Sequence, residues 1–166
     1  LSRFASAMPS RTILGFRRPS AASLAGWTVV SLLLVGASDC LSMILGRPVV
    51  PDVMRDAYRT AGSLPLFWLA IVVAAPLVEE LIFRGLLLIG LSNTRFGSVG
   101  AAIATSAAWA VIHLQYDAHD MTTIFLFGLI LAAARMTTRS IVTCLYLHSV
   151  VNLIAIIETA VIAARG

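Results

Sequence analysis

Lysine is absent from the 166-residue chain; all twelve basic residues are arginine. Charge of either sign is scarce, at 12% of residues, where a soluble domain carries about 25%. Too little polar surface remains to cover a water-soluble body, which argues against a soluble bundle and against disorder. The arginines stand before the first apolar run and in the gaps between runs. That pattern anchors loops at a membrane; a nucleic-acid groove concentrates them on one folded face. Cysteine is nearly absent. Cys40 and Cys144 lie far apart in apolar runs and form no C-x-x-C pair. They read as small packing residues, and a disulfide scaffold is excluded. Period-two alternation, internal repeats and low-complexity segments are also missing.

What is present is apolar: 59% hydrophobic residues and a mean hydropathy of +0.93. The length suits one domain. Five apolar runs can be drawn, at about 23–45, 64–91, 97–114, 121–136 and 139–162. Lipid admits only helices or closed barrels, so the expected fold is all-α, a polytopic membrane bundle of about five hydrophobic helices. A span needs roughly 20 residues, which makes the third and fourth runs short. The first run exceeds the 7–15 residues of a signal h-region and reads as a membrane anchor. The chain therefore divides into a basic N-terminal segment (1–22), an anchor helix with an interfacial loop or helix (23–63) and a core (64–162). In the middle part, Pro51 is placed to open a short helix. Val53, Met54, Ala57 and Tyr58 would share one face of it, with Asp52, Arg55, Asp56 and Arg59 opposite. Arginine counts place the N-terminus in the cytoplasm: Arg3, Arg11, Arg17, Arg18, Arg95, Arg135 and Arg139 inside, Arg47, Arg55, Arg59 and Arg165 outside. The chain begins at Leu1, not Met, which leaves open whether further helices precede it.

The informative residues are ionisable groups inside the runs. Glu79, Glu80 and Arg84 fall near the middle of the second run. On insertion scales they cost roughly 7–10 kcal/mol together at the bilayer centre, while the apolar residues of that run return about 5–10 kcal/mol. The three must therefore face protein or water. Glu80 and Arg84 share a helix face and can pair. Glu79 points about 100° away, without a partner in its own helix. Pro76 removes a backbone bond beside them and predicts a kink. In the third run Trp109 and His113 share a face, as do His148 and Asn152 in the fifth. A lone intramembrane His or Asn is ordinarily an interhelical contact. Together, two Glu, two His and an Asn supply the parts for hydrolysis by water. A carboxylate can take a proton from water. Two imidazoles and a carboxylate can hold Zn²⁺ with one position open. An Asn or His can donate to an oxyanion. An ion or proton pathway needs similar groups. His119, in a polar gap with Asp117 and Asp120, reads as a solvated loop residue.

These residues resemble the motifs of the CPBP family, the CAAX-processing or Abi intramembrane proteases. Glu-Glu-x-x-x-Arg is matched by Glu79, Glu80 and Arg84. Phe-x-x-x-His is matched by His113 with Trp109 in place of Phe, and His-x-x-x-Asn by His148 and Asn152. The resemblance covers about 64–157. It implies helices around a polar intramembrane cavity and an endopeptidase acting on a membrane-associated peptide or protein, lipidated in some relatives. It implies catalytic roles for Glu79, Glu80, His113, His148 and Asn152. Glu80 or Glu79 would be the base, and Arg84 would form a supporting ion pair. His113, His148 and Glu80 would hold one divalent metal, zinc, if the mechanism uses one; a metal-free glutamate mechanism stays open, as the H-E-x-x-H motif is absent. Partners are membrane lipid and the substrate, with no nucleic acid. Many relatives are bacterial, so a bacterial plasma membrane is expected. The alternatives are an inactive scaffold or immunity protein of the same fold, or a small ion or proton carrier. Oligomeric state is open.

Overall fold

The computed structural model describes residues 15–164, and among them every regular element is helical. Arg3, Arg11, Arg165 and most of the expected basic segment lie outside the described residues. The helices are α1 (Ala21–Ile44), α2 (Asp52–Thr60), α3 (Leu64–Ser92), α4 (Gly97–Val111), α5 (Ala118–Thr138) and α6 (Ile141–Ala163). Of these, α1, α3, α5 and α6 are long and apolar enough to cross a membrane. With 15 residues, α4 reaches only about 22 Å at 1.5 Å per residue, short of a hydrocarbon core of about 30 Å. The chain is an integral membrane protein.

Local chemistry explains the boundaries. Ser20 caps α1 by accepting the Ser23 N–H. Within α1, the Thr28 and Ser31 hydroxyls donate to carbonyls four residues back, which removes free donors from an apolar span. The fourth apolar run looked too short to cross, yet α5 has 21 residues. Polar residues extend it at both ends. Asp117 caps the start by accepting the His119 and Asp120 N–H groups, and Thr137 and Thr138 at the end satisfy themselves on Ala133 and Ala134 carbonyls. Arg139, in the left-handed region at φ 53°, then turns the chain into α6. Gly15 straps this turn: its carbonyl accepts the Ile141 N–H at 3.0 Å. Gly15 has φ +63°, and a Cβ there would lie 2.7 Å from the Arg139 carbonyl oxygen.

Pro51 does precede a short helix, α2, whose Asp52, Asp56 and Arg59 face outward while Val53, Met54, Ala57 and Tyr58 are half-buried. α2 lies against α6, and α1 packs on α5 and α6. The main core gathers Phe83, Trp109, Phe127, Leu131, Ala134, Cys144 and Leu147. Ala101, Ala102 and Ala132 let α4 and α5 approach closely near Leu88. Cys144 packs as expected and donates to the Leu131 carbonyl, whereas Cys40 is exposed on α1. His119 is not a loop residue. It sits in the first turn of α5, with Nε2 3.0 Å from Ser42 Oγ and 3.4 Å from Ser38 Oγ, so it links α5 to α1.

Asp117 also pairs with Arg47 at the mouth of the bundle. The Asp120 N–H, then Arg47, hold its carboxyl below the ordinary value of 3.8. A carboxyl depressed in the fold stabilises above its unfolded pKa, and that contribution is lost as pH falls through the folded value. The thermal midpoint in detergent should therefore fall as pH drops below about 4, and Asp117→Asn should show a smaller fall. Superimposable pH profiles of the two proteins would show that this pairing does not contribute.

Candidate active site

The second apolar run becomes one continuous helix, but not a uniform one. Its backbone is π-helical over Ala70–Ala74 and Leu81–Leu87, on either side of the α-helical turn Ala75–Glu80. The expected Pro76 kink is thus resolved as a change of hydrogen-bond register. The Ala75 N–H donates to Ala70 O, five residues back, and Pro76 has no N–H to offer. Ile71 O instead accepts from Asn152 Nδ2 on α6, at 2.9 Å. Such π turns recur at functional sites. Here one delivers Glu79 and Glu80, and the other carries Arg84.

Glu80 and Arg84 are wholly buried, and His148 is 3% exposed. Glu80 Oε1 accepts from Arg84 Nη1 and from His148 Nδ1, each at 2.9 Å. Arg84 Nη2 donates to Gly128 O on α5 at 3.2 Å. The guanidinium also lies over the Trp109 ring, 4.4 Å from its centroid, a cation–π contact strengthened by desolvation. Charges this far from water persist only when paired and hydrogen-bonded, and this cluster draws its partners from α3, α4, α5 and α6.

Glu79 keeps 21% of its side chain exposed. Its Oε2 accepts from Trp109 Nε1 at 2.6 Å and lies 3.9 Å from His148 Nε2. With His148 Nδ1 engaged by Glu80, Nε2 is the nitrogen that faces Glu79. His113 follows the end of α4. Its Nδ1 bonds its own helix at Trp109 O, at 2.8 Å, and its ring stands near-perpendicular to that of Trp109, centroids 5.4 Å apart. Tyr116 stacks on it at 6.1 Å. Burial, then the charges of Asp120 and Glu79, push the Tyr116 phenol above 10.0, so it remains a donor at neutral pH.

Glu79, Glu80, Arg84 and His148 therefore meet directly, His113 borders them across Trp109, and Asn152 is turned to the α3 backbone. The sequence placed Trp109 only on a face with His113 and at the Phe position of a motif, but its N–H holds Glu79. Gly128 and Ser106 were also missed. A Cβ on Gly128 would stand 2.9 Å from Ser106 Cβ and 3.2 Å from Arg84 Nη2, so alanine there would collide with α4 and crowd the guanidinium. A small residue facing an intramembrane arginine is the signal that could have found it. A separate cleft of about 310 Å³, lined by Val49, Ile157, Glu158, Val161 and Ile162, shares none of these side chains.

The donor chemistry tests the zinc expectation. Glu80 Oε1 is already shared by a guanidinium and an imidazole, while the Nδ1 bonds of His148 and His113 leave each Nε2 able to ligate. Among the described residues, no group of three or more His, Cys, Asp or Glu is gathered to hold a metal ion. In this arrangement Glu80, His113 and His148 form no gathered three-ligand set.

A family model described as type II CAAX prenyl endopeptidase Rce1-like matches residues 61–154, more than half of the chain. The chain belongs to this family. No curated protein and no solved structure matches it. The matched stretch contains all seven positions of the three motifs and leaves out α1 and α2. Family membership makes the chain a CAAX-type intramembrane endopeptidase in general terms, with a peptide or protein substrate in the membrane.

Gly128→Ala should destabilise the protein by about 1–3 kcal/mol through overpacking, read as a lower thermal midpoint in detergent. Adding Ser106→Gly should recover most of the loss. An unchanged midpoint in Gly128→Ala would show that α4 and α5 do not approach this closely.

Proposed function

We propose that the chain is a glutamate-dependent intramembrane endopeptidase with Glu79 as its general base. One observation carries the assignment. Glu80 is wholly buried and its Oε1 is committed to Arg84 and His148, while Glu79 is the carboxylate reachable from outside the bundle. Glu80 then serves His148: by accepting from Nδ1 it aims Nε2 toward Glu79. A separation of 3.9 Å between Nε2 and Oε2 is too long for a hydrogen bond and suits two groups that share one water. Both atoms accept, so the water points its two O–H bonds at them and its lone pair at the substrate.

The chemistry follows. The water oxygen bonds to the peptide carbonyl carbon as Glu79 takes a proton. The C–N bond then breaks, and Glu79 returns the proton to the leaving nitrogen, giving a carboxylic acid, an amine and the original carboxylate. His113 and Tyr116 line the outer side of this centre. Asn152 is a positioning residue in this reading, since its amide steadies the Ile71 carbonyl one turn before Pro76. The substrate is a membrane-associated peptide or protein. The arginine distribution supports a cytoplasmic N-terminus.

Glu79→Gln, assayed with a quenched fluorogenic peptide in proteoliposomes, should lower kcat by about 10²–10⁴-fold, the usual worth of general base catalysis. Its thermal midpoint should stay near that of the wild type, because Gln keeps an oxygen for the Trp109 N–H. Wild-type cleavage by Glu79→Gln would overturn the assignment.

A further inference from the structure

We infer that Trp109 is the positioning residue of this site, holding Glu79 directly and Glu80 through Arg84; the inference rests on Glu79 being the base. Trp109 is 3% exposed, and its indole nitrogen can only donate. A buried indole N–H requires an acceptor, and the one it has is Glu79 Oε2, at 2.6 Å. That short, charge-assisted bond fixes a side chain that otherwise has three free torsions and an open side. The face of the same ring carries the Arg84 guanidinium, which in turn donates to Glu80. The ring stands near-perpendicular to those of His148 at 5.2 Å and His113 at 5.4 Å, and is tilted against Phe127 at 6.1 Å. One rigid side chain thus contacts Glu79, Arg84, His113 and His148, and reaches Glu80 through Arg84.

Two functions of the ring are separable. Its volume and π-face support Arg84, His148 and the core. Its N–H supports only Glu79. A ring of the same shape without the N–H should therefore leave the fold and substrate binding intact, but free Glu79 to leave the attacking geometry. The consequence falls on kcat, because a buried residue that acts through Glu79 adds nothing to substrate affinity.

The experiment compares the wild type with Trp109→Phe and with Trp109 replaced by its benzothiophene isostere, in which sulfur stands for N–H. The isostere should lose about ten- to a hundredfold in kcat, the worth of a hydrogen bond to a charged group, with KM unchanged, and Trp109→Phe, which also gives up volume, should lose at least as much. An isostere with wild-type kcat, or a loss confined to Trp109→Phe, would assign the effect to volume and overturn the role. An independent readout needs no catalysis. In protein labelled with ¹⁵N-tryptophan, the indole resonance lost in Trp109→Phe should move in Glu79→Gln. A resonance that stays in place overturns the bond, whatever the kinetics. If the resonance moves while Glu79→Gln still cleaves, the base assignment has failed, and Trp109 is reduced to a structural donor.

Discussion

A carboxylate shared in a dry interior organises this bundle. Glu80 Oε1 accepts from Arg84 and from His148, and neither charge is supportable there alone. Breaking such a pair on one side costs about 3–5 kcal/mol, because the remaining charge is stranded. The pair is therefore a constraint on assembly: α3 must present Glu80 and Arg84 to one side, and α6 must set His148 against them. α5 must offer a bare backbone carbonyl at Gly128, and α4 an aromatic face at Trp109. The apolar surfaces favour burial of these helices in any register, whereas the ionic cluster is satisfied in only one.

The backbone is adapted to that demand. A lipid-exposed helix must bond all its own polar groups, and irregular turns survive only where protein re-satisfies them. α3 has two π-helical stretches around the turn that carries Glu79 and Glu80, and the carbonyl bypassed near Pro76 is met by Asn152. The irregularity and its repair come from helices far apart in the chain. Gly128 is the complementary adaptation: a missing side chain lets α5 approach Ser106 on α4 and leaves room for the guanidinium.

Much of this was legible beforehand. The runs of apolar residues located all six helices but for α2, and Pro51 marked that one. The i, i+4 spacing of Glu80 and Arg84 anticipated their pair, since both partners lie on one element. Partners on different elements were not legible. Trp109 to Glu79, Asn152 to Ile71 and His119 to Ser42 all span 30 residues or more, and no periodicity encodes such contacts. The length of α5 was misjudged because hydropathy does not register a cap or a threonine that bonds back to its own helix.

The amino-acid sequence by itself determined that the chain lives in a membrane, that its helices carry more ionisable groups than lipid tolerates, and that these groups must meet inside. Those conclusions follow from transfer free energies and helix geometry, which are local properties. The tertiary structure alone decided which carboxylate is spent and which is reachable. Glu79 and Glu80 are adjacent and chemically alike, and they differ in what surrounds each: a guanidinium from their own helix and an imidazole from α6 at one, an indole N–H from α4 and an open side at the other.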